Sequence, residues 1–206
     1  GEGISAGAPA VFIRTSRCNL HCVWCDTDHT WNFEDTPWPH EKDALPGYAK
    51  HRKSEVTIEI APVEAARRIL AFGCPRVVIT GGEPLMHDLT LLTEKLKQAG
   101  YQTHIETSGA HPISGTWDWI CLSPKKFKAP LPAILPLADE LKVVIFHRSD
   151  FQWAESFASE VRSDCQIFFQ PEWDRSKEIM PLIVDYVKAH PTWRATLQTH
   201  KYLNIP

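Results

Sequence analysis

The chain has 206 residues, 43% of them hydrophobic and 23% charged, with a formal net charge of -3. That length and balance suit one globular domain, and the charge gives no basic field for nucleic acid or an anionic membrane surface. No apolar run approaches the roughly 20 residues of a membrane-spanning helix, and the opening residues do not read as a secretory leader, so a cytoplasmic protein is expected.

The chain opens on GEGISAG, without an initiator methionine. Residues 9–18 (PAVFIRTSRC) form the first of seven short, apolar, β-prone runs that give way at once to polar residues or glycine. The others lie at 75–84, 102–109, 117–125, 140–147, 165–173 and 194–201. Residues 31–54, rich in Trp, Pro and charge, read as irregular. Helices are predicted between several runs. One spans 62–72, opened by Pro62 and stopped before Gly73. A second spans 88–99, with Leu89, Leu92, Leu96 and Ala99 on one face, and a third spans 150–161. The fourth spans 176–189, with Ile179, Leu182, Ile183, Tyr186 and Val187 at helical spacing and Pro181 near its first turn.

Strand alternating with helix predicts a parallel sheet covered by helices. A closed eight-stranded β/α barrel takes about 250 residues, so the expected fold is α/β, a partial, open TIM-like barrel forming one domain over 1–206. In such folds the chemistry collects at the C-terminal ends of the strands. Arg14, Glu83, Glu106, Lys125, Gln170 and His200 all fall there.

The sharpest feature is RCNLHCVWCDT, residues 17–27, which places Cys18, Cys22 and Cys25 in one loop. Cys74, Cys121 and Cys165 are scattered beside apolar runs and read as buried structural thiols. Three clustered thiols in a reducing compartment point to metal or redox chemistry. A zinc site wants four ligands, and His21 or His29 would have to complete it. A disulfide would leave one thiol over. An iron-sulfur cubane is normally held by four thiolates. With three, one iron keeps a position for a small molecule.

This loop resembles the signature of radical S-adenosylmethionine enzymes, including the aromatic Trp24 before the last cysteine. The resemblance implies that Cys18, Cys22 and Cys25 hold a [4Fe–4S] cluster whose fourth iron takes the cofactor's methionyl group. One electron then releases a 5′-deoxyadenosyl radical. TGGEP at 80–84 looks like the family's GGEP motif, so Gly82 and Glu83 are expected at the methionyl amine. Glu106 of ETSG is expected at the ribose or methionyl part, as are Ser123, Pro124 and Lys125 of SPK, with Gln170 at a further strand end. Over the whole chain, GEG, PAVFIR, CDT, VVITGGEP, IETSG, SPK and the terminal LQTHKYLNIP occur in the order of the 7-carboxy-7-deazaguanine synthase family.

That likeness implies ring contraction of 6-carboxy-5,6,7,8-tetrahydropterin, with Gly1, Glu2, Arg14, Thr80, His200 and the terminal Pro206 at the substrate and Gln198 as a weaker candidate. It also implies Mg2+ on Thr27, a low-potential flavodoxin-like electron donor and a homodimer. Family members carry a strand ending in Leu-Gln ahead of GEG, so the resemblance further implies that an N-terminal strand is missing here. Two other readings stay open: a glycyl-radical activase of the same superfamily, acting on a protein, and a zinc-stabilised binding module.

Overall fold

The computed structural model describes residues 2–204. Its strands are β1 (Val11–Thr15), β2 (Arg76–Gly81), β3 (Gln102–Thr107), β4 (Trp119–Leu122), β5 (Glu140–Ile145), β6 (Gln166–Pro171) and β7 (Trp193–Ala195). Its helices are α1 (Lys53–Val56), α2 (Pro62–Leu70), α3 (Thr90–Gln98), α4 (Asp150–Ala158), α5 (Ser176–Ala189) and α6 (Thr199–Leu203). All seven apolar runs are strands, and all four predicted helices form. The single-turn α1 and the C-terminal α6 were not anticipated. Pro181 is the sixth residue of α5, in the second turn rather than near the first, so its missing N–H removes one helical bond.

The strands pair in parallel in sequence order, β1 to β7, and β7 is not paired to β1. The result is an open barrel. Helices cross over between β1 and β2, β2 and β3, β5 and β6, and β6 and β7. The two middle connections are loops, with only a short 3-10 turn at Leu135–Leu137. No helix among the described residues is long and apolar enough to cross a membrane.

The pleat of each strand sorts its side chains onto two faces. On β5, Leu141, Val143 and Ile145 are fully buried and join Leu96 of α3 with Ile179 and Ile183 of α5 in the core. Each such side chain contributes about 1.5–3 kcal/mol by leaving water. Phe169 stacks on Trp193 with centroids 3.8 Å apart. The Trp193 and Tyr186 polar tips both donate to Glu155 Oε1, at 2.8 and 2.7 Å. The opposite face of β5 carries Glu140, Lys142 and Val144 into a cavity inside the curved sheet.

The irregular 31–54 segment folds back on the cysteine loop. Phe33 and His51 make an isolated parallel bridge. Asn32, fully buried, donates to Asp43 Oδ1 at 2.9 Å and to the Tyr48 hydroxyl at 2.8 Å. Tyr48 in turn donates to Asp28 Oδ2 at 2.7 Å, and Lys42 bridges Asp28 and the Cys25 carbonyl. Burial pushes the Asp28 carboxyl up, but the Tyr48 hydrogen bond and Lys42 outweigh it and hold it below the usual range.

Candidate active site

The cavity inside the sheet has a volume of about 990 Å³ and is lined from every strand end that the sequence singled out. Cys18, Cys22 and Cys25 form one wall, and all three are free thiols. Arg17, just ahead of Cys18, and His21, between Cys18 and Cys22, take left-handed backbone conformations at φ 74° and 47° as the loop turns. Burial pushes the Cys18 and Cys22 thiols up, Cys22 to about 12. Trp24 stacks on Phe146 at 5.2 Å and braces the loop against the end of β5.

The glycine pair serves the protein's own backbone. A Cβ on Gly81 would lie 2.3 Å from Thr15 N, and one on Gly82 would lie 2.1 Å from Arg17 O and 3.2 Å from Cys18 Cβ. Gly82 N donates to Thr15 O, and Glu83 N donates to Arg17 O, both at 2.8 Å. The GGEP turn is therefore the bed on which the cysteine loop lies.

Glu83 is 1% exposed. Its carboxylate accepts from Leu85 N at 3.1 Å, Thr107 Oγ1 at 2.5 Å, Ser108 N at 2.9 Å and Ser108 Oγ at 2.6 Å. A carboxylate has about four lone-pair sites, and all are occupied. The side chain thus stitches GGEP to ETSG and has no free acceptor for a ligand's amine, contrary to the sequence expectation for this carboxylate.

A buried charge cluster sits deeper. Lys142 bridges Glu2 and Glu106, the latter at 2.6 Å. Burial disfavours its charge, yet Glu106 and Glu2 outweigh that and hold it firmly protonated. Burial likewise raises Glu2, but Lys142, His200 and Gln170 outweigh it and keep its carboxyl well below the usual carboxylate range. Gln170 donates to Glu2 Oε2 at 2.8 Å, and His200 Nδ1 is 3.4 Å from Glu2 Oε1. Beside them burial pushes Glu140 up to about 7. Gly3 packs against its carboxyl so closely that a Cβ would meet Oε1 at 1.8 Å.

The chain's ends close over this cluster. Gly3 N donates to Thr196 Oγ1 at 2.9 Å. Asp26 accepts from Gln198 Nε2 at 2.7 Å and pairs with Lys201 at 3.1 Å, tying α6 to the cysteine loop. Gln198, expected at a ligand, is thus engaged with Asp26. Arg14 and Thr80 also line the cavity, and Arg14 has no ion-pair partner among the described residues. Thr27 donates to Gly81 O at 3.3 Å. Ser123 and Lys125 line the cavity, with Lys125 Nζ 2.8 Å from both Ser123 oxygens. Pro124 is buried and does not line it. Gly1 and Pro206 lie outside the described residues.

The model of the radical SAM superfamily matches residues 12–121. A 7-carboxy-7-deazaguanine synthase of Flavobacterium psychrophilum is 44% identical over all of this chain and 88% of its own length. One from Synechocystis is 43% identical, again over all of this chain and 88% of the relative. This chain belongs to the 7-carboxy-7-deazaguanine synthase family of radical SAM enzymes. In agreement, the crystal structure of QueE from Escherichia coli superposes with a TM-score of 0.77 at 30% identity, covering 96% of this chain and 89% of that one.

The family implies a [4Fe–4S] cluster and S-adenosylmethionine, and the residues present fit both. The loop sulfurs share one wall of the cavity. Among the described residues no three Cys, His, Asp or Glu side chains close on a single point, as a tetrahedral zinc site requires. The remaining cavity is lined by carboxylate, hydroxyl and amide groups that suit a polar cofactor.

Within this family site, sequence reasoning missed Lys142, Glu140, Lys201 and Trp31. The signal for the first two was present. In ELKVVIFH two charges two residues apart interrupt an otherwise apolar strand, which places both on the face away from the core.

Proposed function

We propose that this chain converts 6-carboxy-5,6,7,8-tetrahydropterin to 7-carboxy-7-deazaguanine with release of ammonia, a step toward queuosine. One observation carries the reading: the three-thiol loop, Arg14, which has no ion-pair partner among the described residues, and the Glu2–Lys142–Glu106 cluster face one cavity of about 990 Å³. Substrate and product differ only by ammonia, so the reaction needs no net oxidant and the cofactor can be regenerated. The cluster with S-adenosylmethionine supplies, when bound, a primary carbon radical.

The rest is done by this chain. Cys18, Cys22 and Cys25 are the cluster ligands. The backbone carbonyl of Gly82, together with Glu106, Ser123, Lys125 and Gln170, holds the cofactor. Pro124 shapes their loop, and Glu83 keeps the GGEP and ETSG turns together. Arg14 forks onto the substrate carboxylate. Glu2, held ionised by Lys142, accepts hydrogen bonds from the pterin's N–H groups, with Thr80 and His200 beside it. Gly1 and Pro206, which lie outside the described residues, are assigned to the same subsite.

Mg2+ belongs to the same proposal. A hard cation prefers oxygen ligands and leaves positions for substrate and water, and the Thr27 hydroxyl supplies one such oxygen. We also assign residues 1–206 to one domain, a homodimeric assembly, a flavodoxin-like donor and a cytoplasmic, reducing setting.

The test is anaerobic reconstitution with iron and sulfide, then incubation with reductant, S-adenosylmethionine, Mg2+ and the carboxy-tetrahydropterin. Carboxy-deazaguanine, found by mass and diminished by chelation of Mg2+, supports the assignment. A fully loaded cluster that yields no product from this substrate overturns it.

A further inference from the structure

The geometry points to Trp31 as a positioning residue that raises the reduction potential of the cluster by donating its indole N–H to the Cys25 sulfur. The inference rests on the assignment of Cys18, Cys22 and Cys25 as cluster ligands. Trp31 Nε1 lies 3.3 Å from Cys25 Sγ, within the range for a donor to sulfur. The indole N–H can only donate, and this sulfur is its partner.

The ring has little freedom to turn away. Trp31 is 4% exposed. His21 packs on it with centroids 4.7 Å apart, and His40 meets it edge-on at 4.9 Å. The other side-chain polar atom near Cys25 Sγ is Thr27 Oγ1 at 3.7 Å, and that hydroxyl is also placed to donate to Gly81 O at 3.3 Å. Among the described residues Trp31 is the one side-chain N–H directed at any of the three loop sulfurs.

The sign follows from charge. Reduction by one electron adds negative charge to the cluster and its thiolates. An N–H dipole aimed at a thiolate stabilises the reduced form more than the oxidised one, so the potential rises. Burial strengthens the effect, because the surroundings screen it less than water does. Phenylalanine would fill the same slot without that dipole. The 31–54 segment thereby gains a purpose that its composition did not disclose. The Asn32–Asp43–Tyr48–Asp28 network and Lys42 on the Cys25 carbonyl hold the donor and its acceptor in register.

Two variants test this: Trp31→Phe, and Trp31 replaced by β-(3-benzothienyl)alanine, which keeps the fused ring and has sulfur where the N–H was. Each is reconstituted anaerobically, and iron content and visible absorption are measured before anything else. A potentiometric titration then follows the reduced cluster by its electron paramagnetic resonance. At a fixed potential the ratio of reduced to oxidised cluster should fall about tenfold in both variants, which is 59 mV for a one-electron couple. With 15N-labelled tryptophan, double resonance on the reduced wild-type cluster should show an indole nitrogen coupling that Trp31→Phe lacks. A loaded benzothienyl variant that titrates with the wild type overturns the inference, as does absence of the coupling. A wild-type protein that takes up no cluster removes the ligand assignment itself, and this inference with it.

Discussion

Replacing Lys142 with methionine keeps the bulk of the side chain and deletes its charge. The lysine side chain is 3% exposed, and its partners Glu2 and Glu106 are 18% and 31% exposed. Removing one partner of a buried ion pair costs roughly 3–5 kcal/mol, because the other charge is left behind. Glu106 is nearly a third exposed, and solvent screens part of its share, which places the expected loss near 3–4 kcal/mol. For a chain of this size that is a fall in Tm of about 6–16 °C.

The pH dependence separates this from a simple packing defect. In the wild type Glu2 is held below its unfolded value of 4.5, so its contribution is present above that pH and lost on acidification through the folded pKa. Without Lys142, burial, which raises the same carboxyl, is opposed only by His200 and Gln170, so less of that contribution remains above the unfolded value. The gap between variant and wild type should therefore narrow from about pH 8 to about pH 5. Circular dichroism melts of anaerobic, cluster-loaded protein at both pH values read it. Equal melts at pH 8, or a gap that does not change with pH, would refute the argument.

Glu140→Gln should act in the opposite sense. Burial raises Glu140 from 4.5 to about 7, so the folded state retains a proton that the unfolded chain has lost, and stability falls as pH rises through that window. At 1.36 kcal/mol per unit, the variant should gain about 1 kcal/mol at pH 5 and about 3 kcal/mol at pH 8 in urea titrations. A gain independent of pH would argue against a raised carboxyl. Gly82→Ala places a methyl 2.1 Å from the Arg17 carbonyl, and backbone cannot yield as a flexible side chain does. Iron uptake should drop severalfold while the far-ultraviolet spectrum keeps its α/β form; normal uptake would show that the loop does not depend on this bed. Alanine at Cys18, Cys22 or Cys25 should remove the brown chromophore, whereas Cys165→Ala should leave it, since Cys165 is buried in the core cluster.

The strands were legible because each is short, β-prone and ends in a change of polarity. Of the four longer helices, α2 was legible from Pro62 and Gly73 at its ends, and α3 and α5 from apolar residues repeating at helical spacing. The cysteine loop declared itself by crowding alone. What stayed hidden depends on contacts across long stretches of chain. Glu83 looks like a ligand-binding carboxylate until Thr107 and Ser108, more than twenty residues on, are seen to occupy its oxygens. Gln170 and Gln198 line the cavity, and their additional grip on Glu2 and Asp26 could not be read from the sequence. The glycines of GGEP suggested room for a small molecule, whereas the room is taken by the backbone of the cysteine loop. Residues 31–54 lack periodicity because their order comes from a polar network, which leaves no hydrophobic rhythm to read.

Glu2 and α6 meet across the gap that β1 and β7 leave open, joined by His200 and by the contact of Gly3 with Thr196. Glu2 and α6 therefore sit at the rim of the reaction chamber, and a change at either is felt inside it. Affinity tags, fluorescent fusions and surface tethers are safer beside α2, where Ile58 ahead of it and Phe72 behind it already face water.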